Sequence, residues 1–496
     1  MEIKMKKIML CLLASVILFS AAACTTSKTP DSSDTGSVAS SEKDPSNIGL
    51  LEYAGLPSDL DYEGYKFTFL VRDYERWLSD LFAESSDENR VDEAVYKRNS
   101  LVAEELKIEI ACEKSSNWNY ETDAMDVISS GEDIYDVVVP HARAAFVYAN
   151  AGLFLDWNKD LEYVDLTREY WDQNARKNLS VNNLLYVMNG DISYQCTGST
   201  CALLFNKDLM KQLNLEFPYQ MVKDNEWDYD AFLEYATKAK NDINGDTVMT
   251  KEEDRYGYVT SAYGGPIEIL YTAGQSILNK DENDIPYISL NTPETIEVLD
   301  WFYDMSDNEI SYVFKDMDAD VAQTKLQPDD VFRDGRALFI DANIDGIAEL
   351  RDSDIEFGII PCPKMDTSLE YYYTNVDAGT NMFGVPISAY NPSRTSAVLE
   401  ALAAEGHRSV LPEYYETALK TRYSRDDESA EMLDIICQGR VFDLGYFNYY
   451  MIGEMGNGLI AFLNMPSRNF ASWYKRYESV TLRMLNKTLV NYGIEE

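Results

Sequence analysis

Residues 65–140 alternate short apolar runs with helical periodicity, and few folds accept that order. Tyr65-Lys-Phe-Thr-Phe-Leu-Val71 alternates and then runs apolar, as the first strand of a sheet does. Asp92 to Leu106 sets Val95, Leu101, Val102 and Leu106 on one side of a helix. Lys107-Ile-Glu-Ile-Ala111 predicts a second strand, Asp126 to Ser130 a short helix, and Tyr135-Asp-Val-Val-Val-Pro140 a buried third strand closed by proline. Strand–helix–strand–helix–strand implies a mainly parallel sheet covered by helices on its faces. Ligands of such sheets sit beyond the carboxyl ends of the strands. His141, directly after the third strand, is therefore placed near a cleft, and a capping role at that turn is the competing reading.

The pattern then changes. Leu184 to Ile192 reads as a strand with a glycine turn, and Ala202 to Asn206 as a strand followed by a helix from Lys207. Ser193 to Thr200 between them suits a crossing between lobes, as does Met382 to Pro386. A second strand–helix region runs to Phe314, the acidic stretch Lys315 to Ala322 reads as a loop, and Ala337 to Asp341 and Phe357 to Pro361 are strand-like. The C-terminal part is helical in period, and no internal repeat is present. Roughly 440 residues of folded body exceed one comfortable hydrophobic core, so two domains are expected.

The N-terminus is of another kind. Lys4, Lys6 and Lys7 precede the apolar run Ile8 to Phe19, which falls short of the ~20 residues that span a bilayer. Ser20-Ala-Ala-Ala-Cys24 then brings small residues directly to a cysteine, which resembles a bacterial lipoprotein signal. On that reading residues 1–23 are removed and Cys24 carries lipid. Thr25 to Gly49 is almost entirely Ser, Thr, Asp, Lys, Pro and Gly, too polar to offset its ordering entropy. Residues 24–60 are therefore expected to be a flexible, lipid-anchored tether.

A formal charge of −42 argues against nucleic acid or an anionic lipid surface as partner, since both require a basic face. The membrane would be met only through the anchor, at the extracytoplasmic face of the cell membrane. After processing, Cys112, Cys196, Cys201, Cys362 and Cys437 remain, an odd number for which buried free thiols are expected. Only His141 and His407 are present, so a histidine-rich metal site is excluded. His407, in the polar stretch Glu405-Gly-His-Arg, reads as solvated helix surface.

Asp242-Ile-Asn-Gly-Asp-Thr-Val-Met-Thr-Lys-Glu-Glu253 spaces oxygen donors as a calcium loop does. Asp242, Asn244, Asp246, Thr250 and Glu253 stand at positions 1, 3, 5, 9 and 12, and Val248 offers its carbonyl at position 7. The departure is Thr247 where the sharp turn usually carries glycine. Any Ca2+ here is expected to be structural, because nothing nearby has the pattern of a nucleophile with its base.

The order of several segments resembles the family-1 extracellular solute-binding proteins of carbohydrate ABC importers, the branch of maltose-binding protein. The segments are Asp92-Glu-Ala-Val-Tyr-Lys-Arg-Asn99, Tyr135-Asp-Val-Val138, Gly152-Leu-Phe-Leu-Asp-Trp157, Leu185-Tyr-Val-Met-Asn-Gly-Asp-Ile-Ser193, Phe205-Asn-Lys-Asp208, Trp227-Asp-Tyr-Asp230, Gly335-Arg-Ala-Leu-Phe339 and Phe357-Gly-Ile-Ile-Pro-Cys-Pro-Lys364. The resemblance implies an α/β, two-lobed periplasmic-binding-protein-like fold of type II, with hinge-linked lobes closing over a ligand cleft. It implies one lobe from 61–192 plus 330–382 and a second from 193–329 plus 383–496. The partners it implies are a carbohydrate or other small neutral solute and the transmembrane subunits of an ABC permease, with the protein a monomer.

Sugar recognition uses flat apolar faces together with a few carboxylates and amides that engage hydroxyl pairs. By position in the family-like fold, the ligand-binding candidates are Arg72, Asp73, His141, Asp191, Tyr263, Asp341, Asn343 and Tyr446. Trp157, Trp171 and Trp301 read as packing residues. The rival classes are a secreted glycoside-active enzyme, which needs two carboxylates across a cleft, and a carbohydrate adhesin. No catalytic motif supports the first, and the lack of repeats speaks against the second.

Overall fold

The structure, a computed structural model, describes residues 48–85, 89–115, 124–314, 326–350, 355–415, 427–453, 455–465 and 468–494. The expected signal, Cys24, the tether as far as residue 47 and the acidic stretch 315–322 lie outside them. The tether does not extend to residue 60: Leu50–Ala54 is a helix with Leu50, Leu51 and Ala54 buried, and Leu56 follows them into the core. Three leucines there bury enough apolar surface to begin the folded body.

Twelve strands occur among the described residues: β1 Tyr65–Arg72, β2 Ile108–Ser115, β3 Val137–Val139, β4 Cys201–Asn206, β5 Tyr256–Ser261, β6 Leu278–Lys280, β7 Pro286–Ile288, β8 Ser311–Phe314, β9 Ala337–Asn343, β10 Phe357–Ile360, β11 Thr374–Asn375 and β12 Arg440–Val441. The first sheet has the order β2-β1-β3 and is wholly parallel, Phe69 facing Cys112 on one side and Val137 on the other. Its central strand is buried from Phe67 to Val71 on both faces, which is why the alternation there gives way to the apolar run Phe69 to Val71. The helices Arg90–Leu106 and Met125–Ser129 lie in its crossovers, the first capped by Asn89, whose side chain accepts from the Val91 and Asp92 amides.

A second, five-stranded sheet has the order β10-β4-β9-β5-β8, with β4 antiparallel to both neighbours and β5 parallel to β9 and β8. This corrects the expected lobe boundaries. Strands β9 and β10 fall within 330–382, yet they hydrogen-bond to β4 and β5 and not to the first sheet. The segment 383–496 is shared as well: helix Pro392–Glu405 packs on Leu50–Ala54 and Arg90–Leu106, whereas Asp427–Gln438 packs on β10. Local periodicity identifies strands but not their partners, and long-range pairing decided the matter.

Each expected crossing pairs with chain outside the other, Met382–Pro386 with residues 138, 154 and 188 of the first lobe, so the segment 377–381 just before it makes the second crossing. Met188 bridges Phe383 and Thr200 bridges Val376, both antiparallel. Leu184–Ile192 is not a strand but an extended segment held by such isolated bridges. Trp157 and Trp171 are 1% and 0% exposed and meet edge to face at 5.4 Å, and Trp301 stacks on Tyr229 at 4.0 Å, as packing residues should. Among the described residues no helix is long and apolar enough to cross a membrane.

Candidate functional site

The carboxyl ends of β1 and β3 meet the crossing segment 377–381. Arg72, the last residue of β1, donates from Nη2 to the Gly379 carbonyl at 2.8 Å and to Asn381 Oδ1 at 2.7 Å. His141 bridges Asn381 through its backbone, and its Nδ1 accepts from the Ala144 amide at 3.1 Å, capping the helix Ala142–Asn150. Burial, together with the Arg72 and Arg143 charges, lowers its pKa to about 3, so the ring is neutral. With Nδ1 accepting, the ring proton sits on Nε2, which is left as a donor. Capping and nearness to the crossing thus hold together for His141.

Tyr446 joins the same neighbourhood from the C-terminal region. Its side chain is buried, the Arg143 guanidinium lies 5.2 Å above its ring, and its hydroxyl meets the Ala378 backbone. Asp377 acts electrostatically on both Tyr446 and Asp345, and so lies near each of them. Asp345 begins the turn after β9 and takes the Nε proton of Arg76 at 2.7 Å, linking the five-stranded-sheet lobe to the helix Glu75–Leu78 that follows β1. Trp77 lies between Arg72 and Arg76, whose guanidinium carbons are 4.3 and 4.5 Å from its ring centroid. A Cβ on Gly379 would stand 2.6 Å from Asp377 Oδ1 and 3.4 Å from the Trp77 ring, so only glycine lets the crossing pass so close.

Several buried polar atoms along this seam have no protein partner: Gln195 Oε1, Ser199 Oγ, Asp345 Oδ1, Thr380 Oγ1 and Arg143 Nε. Unpaired buried polar groups are costly, and here they gather where two lobes and two crossings meet.

The remaining candidates separate from this group. Asp73 is half-exposed and pairs with Lys114 at 3.5 Å on the surface. Asp191 is bound to His407, Nδ1 to Oδ2 at 2.6 Å, and burial raises its pKa despite that partner. His407 is accordingly not solvated surface: it is half-buried between Asp191 and Glu169, because Gly406 brings the helix against the Asp191 carbonyl. Asp341, on β9, accepts from the Tyr258 hydroxyl at 2.8 Å and is raised in pKa by burial. Asn343 ends β9 opposite Cys201. Tyr263 is 61% exposed, at the start of helix Gly264–Thr272.

The sequence reading missed Trp77, Arg76, Arg143, Asp345 and Asp377. Trp77 and Arg143 lie five and two residues beyond the chosen Arg72 and His141, so the loop after each parallel strand was the available signal. Asp345 and Asp377 had none, because only strand pairing brings them to the seam.

The loop 242–253 is separate. Asp242 accepts from the Gly245 and Thr247 amides at 2.7 and 2.8 Å, and Asp246 accepts from Val248 at 2.8 Å. Asn244 donates to Glu253 Oε2 at 2.8 Å, gathering four of the expected donors. Thr250 turns instead to Asp254, to which its amide donates at 2.7 Å, while the Val248 side chain is 58% exposed. Thr247 has φ +70°, the left-handed conformation of the missing glycine, so the turn forms at the cost of a β-branched residue there.

The sequence matches the family described as bacterial extracellular solute-binding protein over residues 101–401. No curated protein matches. Among solved structures, a cyclo/maltodextrin-binding protein complexed with maltotetraose is 14% identical with a TM-score of 0.55, covering 86% of this chain and 96% of its own. A sugar transporter from Rhizobium etli in an open conformation gives 11% and 0.56, over 87% and 100%. UgpB from Mycobacterium tuberculosis in complex with glycerophosphocholine gives 14% and 0.55, over 86% and 99%. The fold is the two-lobed one of these periplasmic binding proteins.

Proposed function

Since the chain belongs to the bacterial extracellular solute-binding proteins, a family of binding proteins and not of enzymes, we propose that it captures a sugar or oligosaccharide by lobe closure and delivers it to an ABC permease. The observation that carries this reading is the seam around residues 377–381. There Arg72 and His141 meet Gly379 and Asn381, Arg76 beside Trp77 reaches Asp345 across the seam, and unpaired polar atoms lie among them. Convergent amide, carboxylate and guanidinium groups, the latter packed on the Trp77 ring, suit the hydroxyl pairs of a sugar. Contacts from both lobes form together only in the closed state, so binding favours closure.

A thermal-shift panel of mono-, di- and oligosaccharides, with a polyol phosphodiester alongside, tests the proposal. A sugar at 100 times its Kd adds about 2.7 kcal/mol of stability, and small-angle scattering should show compaction with the same sugar. Stabilisation by the phosphodiester alone would replace the sugar, and hydrolysis of a glycoside without stabilisation would overturn the binding role.

The extracytoplasmic protein is further proposed to be a monomer anchored to the membrane through lipid on Cys24, with residues 1–23 removed. Cys24→Ala should release it from membranes or leave the precursor uncut; unchanged mature size and retention would refute the anchor. A structural Ca2+ on Asp242, Asn244, Asp246, the Val248 carbonyl and Glu253, with Thr250 turning from Asp254, is the reading proposed for the loop 242–253.

A further inference from the structure

Away from the seam, the core of the five-stranded-sheet lobe holds a group of acidic side chains that the solute-binding reading does not use. Cys201, Cys362 and Glu268 are buried, and their Sγ, Sγ and carboxylate oxygen lie within 4.8 Å of one another. Three separate elements supply them. Cys201 opens β4. Cys362 follows β10, and continuing the Leu203–Ile360 register by two residues sets it opposite Cys201. Glu268 comes from the helix Gly264–Thr272.

The carboxylate is held in place: Thr374 Oγ1 donates to its Oε1 at 2.9 Å and the Asn375 amide to its Oε2 at 2.8 Å. Thr374 Oγ1 also lies 2.7 Å from the Cys201 carbonyl, so its one proton serves two acceptors in turn. A small hollow lies on the open side, lined by Leu203, Tyr229, Phe232, Tyr258, Thr272 and Trp301.

The electrostatics of this place are one-sided. Asp341 is a fourth acid acting on all three groups, and no lysine or arginine is among the leading influences on any of them. Burial lifts Glu268 to about 7, and both thiols stand above their ordinary values. Four ionisable acids buried together must either keep their protons or take a cation.

We propose that Cys201, Cys362 and Glu268 form a site for a thiophilic divalent cation of the zinc type, with its fourth position toward the hollow. Bonds of ~2.3 Å to sulfur in a tetrahedron set sulfurs ~3.8 Å apart, which the present spacing reaches by small side-chain rotations. Two thiolates with one carboxylate match such a cation better than Ca2+ or Mg2+, which take all-oxygen shells. On binding, the protons on the two thiols and any on Glu268 pass to solvent as the metal bonds form, so affinity rises with pH. The metal ties β4, the chain after β10 and the helix Gly264–Thr272 together behind Thr374 and Asn375, next to the crossing.

The test is a Co2+ titration of the reduced, metal-stripped protein with Ca2+ present throughout, which keeps the loop 242–253 out of the readout. One Co2+ per chain should bind with a thiolate-to-metal absorption band, and Zn2+ should bleach it. Cys201→Ser and Cys362→Ser should each lose the band. Thr374→Val leaves all three donors but removes one of the two hydrogen bonds that orient Glu268, and should weaken binding about 10–100-fold. No band with wild-type protein under excess Co2+ would overturn the site. So would a thiol count on the unreduced, denatured protein showing Cys201 joined to Cys362 as a disulfide, since all five described cysteines are free here.

Discussion

Arg76 donates from Nε to Asp345 Oδ2 across 2.7 Å, joining the short helix after β1 of one sheet to the turn after β9 of the other. Arg76 is 43% and Asp345 15% exposed at the side chain, so the pair sits at the rim of the seam, screened on one side only. Such a pair is worth on the order of 1 kcal/mol. It draws the lobes together with or without a ligand.

Asp345→Asn keeps the shape of the side chain and removes its charge. The unliganded protein should then populate more open arrangements, read as a larger radius in small-angle scattering, and ligand affinity should fall by about fivefold. Identical scattering and affinity would show that the pair does not bias closure.

The two aromatic residues Trp77 and Tyr263 can be tested separately. Trp77→Ala should weaken sugar binding by roughly 1–3 kcal/mol by loosening Arg72 and Arg76, whose guanidinium groups pack on its ring. Tyr263→Ala, at an exposed position, should leave stability within about 0.5 kcal/mol. An unchanged Kd for Tyr263→Ala removes it from the site; an unchanged Kd for Trp77→Ala moves the site away from the seam.

Glu400 gives a pH dependence with a definite sign. It is fully buried, taking the Tyr170 hydroxyl at 2.5 Å and the Trp171 indole N–H at 2.9 Å, and burial raises its pKa from 4.5 to about 7. The folded protein therefore holds this proton more tightly than the unfolded chain does. The resulting stability is full below about 4.5 and is lost as pH rises through about 7. Glu400→Gln should flatten the fall in melting temperature between those values, whatever it does to stability itself. An unaltered slope would assign the dependence to other acids raised by burial, such as Asp80 and Asp443, both to about 6.

For the loop 242–253, chelator should lower the melting temperature of the wild type, and Asp246→Ala should abolish that sensitivity. Ca2+ at 100 times its Kd adds about 2.7 kcal/mol. Equal melting in calcium and chelator would leave the loop an acidic turn held by its own amides.

What the sequence determined by itself was local. The burial of β1 and β3 is written as mostly apolar runs, the helix Arg90–Leu106 as the spacing of Val95, Leu101, Val102 and Leu106, and the loop 242–253 as oxygen donors at fixed intervals. Each depends on contacts a few residues apart, which periodicity encodes. The placing of β9 and β10 in the five-stranded sheet, the removal of His407 from solvent by Asp191, and the meeting of Asp345 and Asp377 with Arg76 and Tyr446 were decided only by tertiary structure. Those contacts join residues far apart in the chain. No local pattern distinguishes an aspartate facing water from one folded against an arginine of the other lobe, because the difference lies in burial and partner and not in the residue.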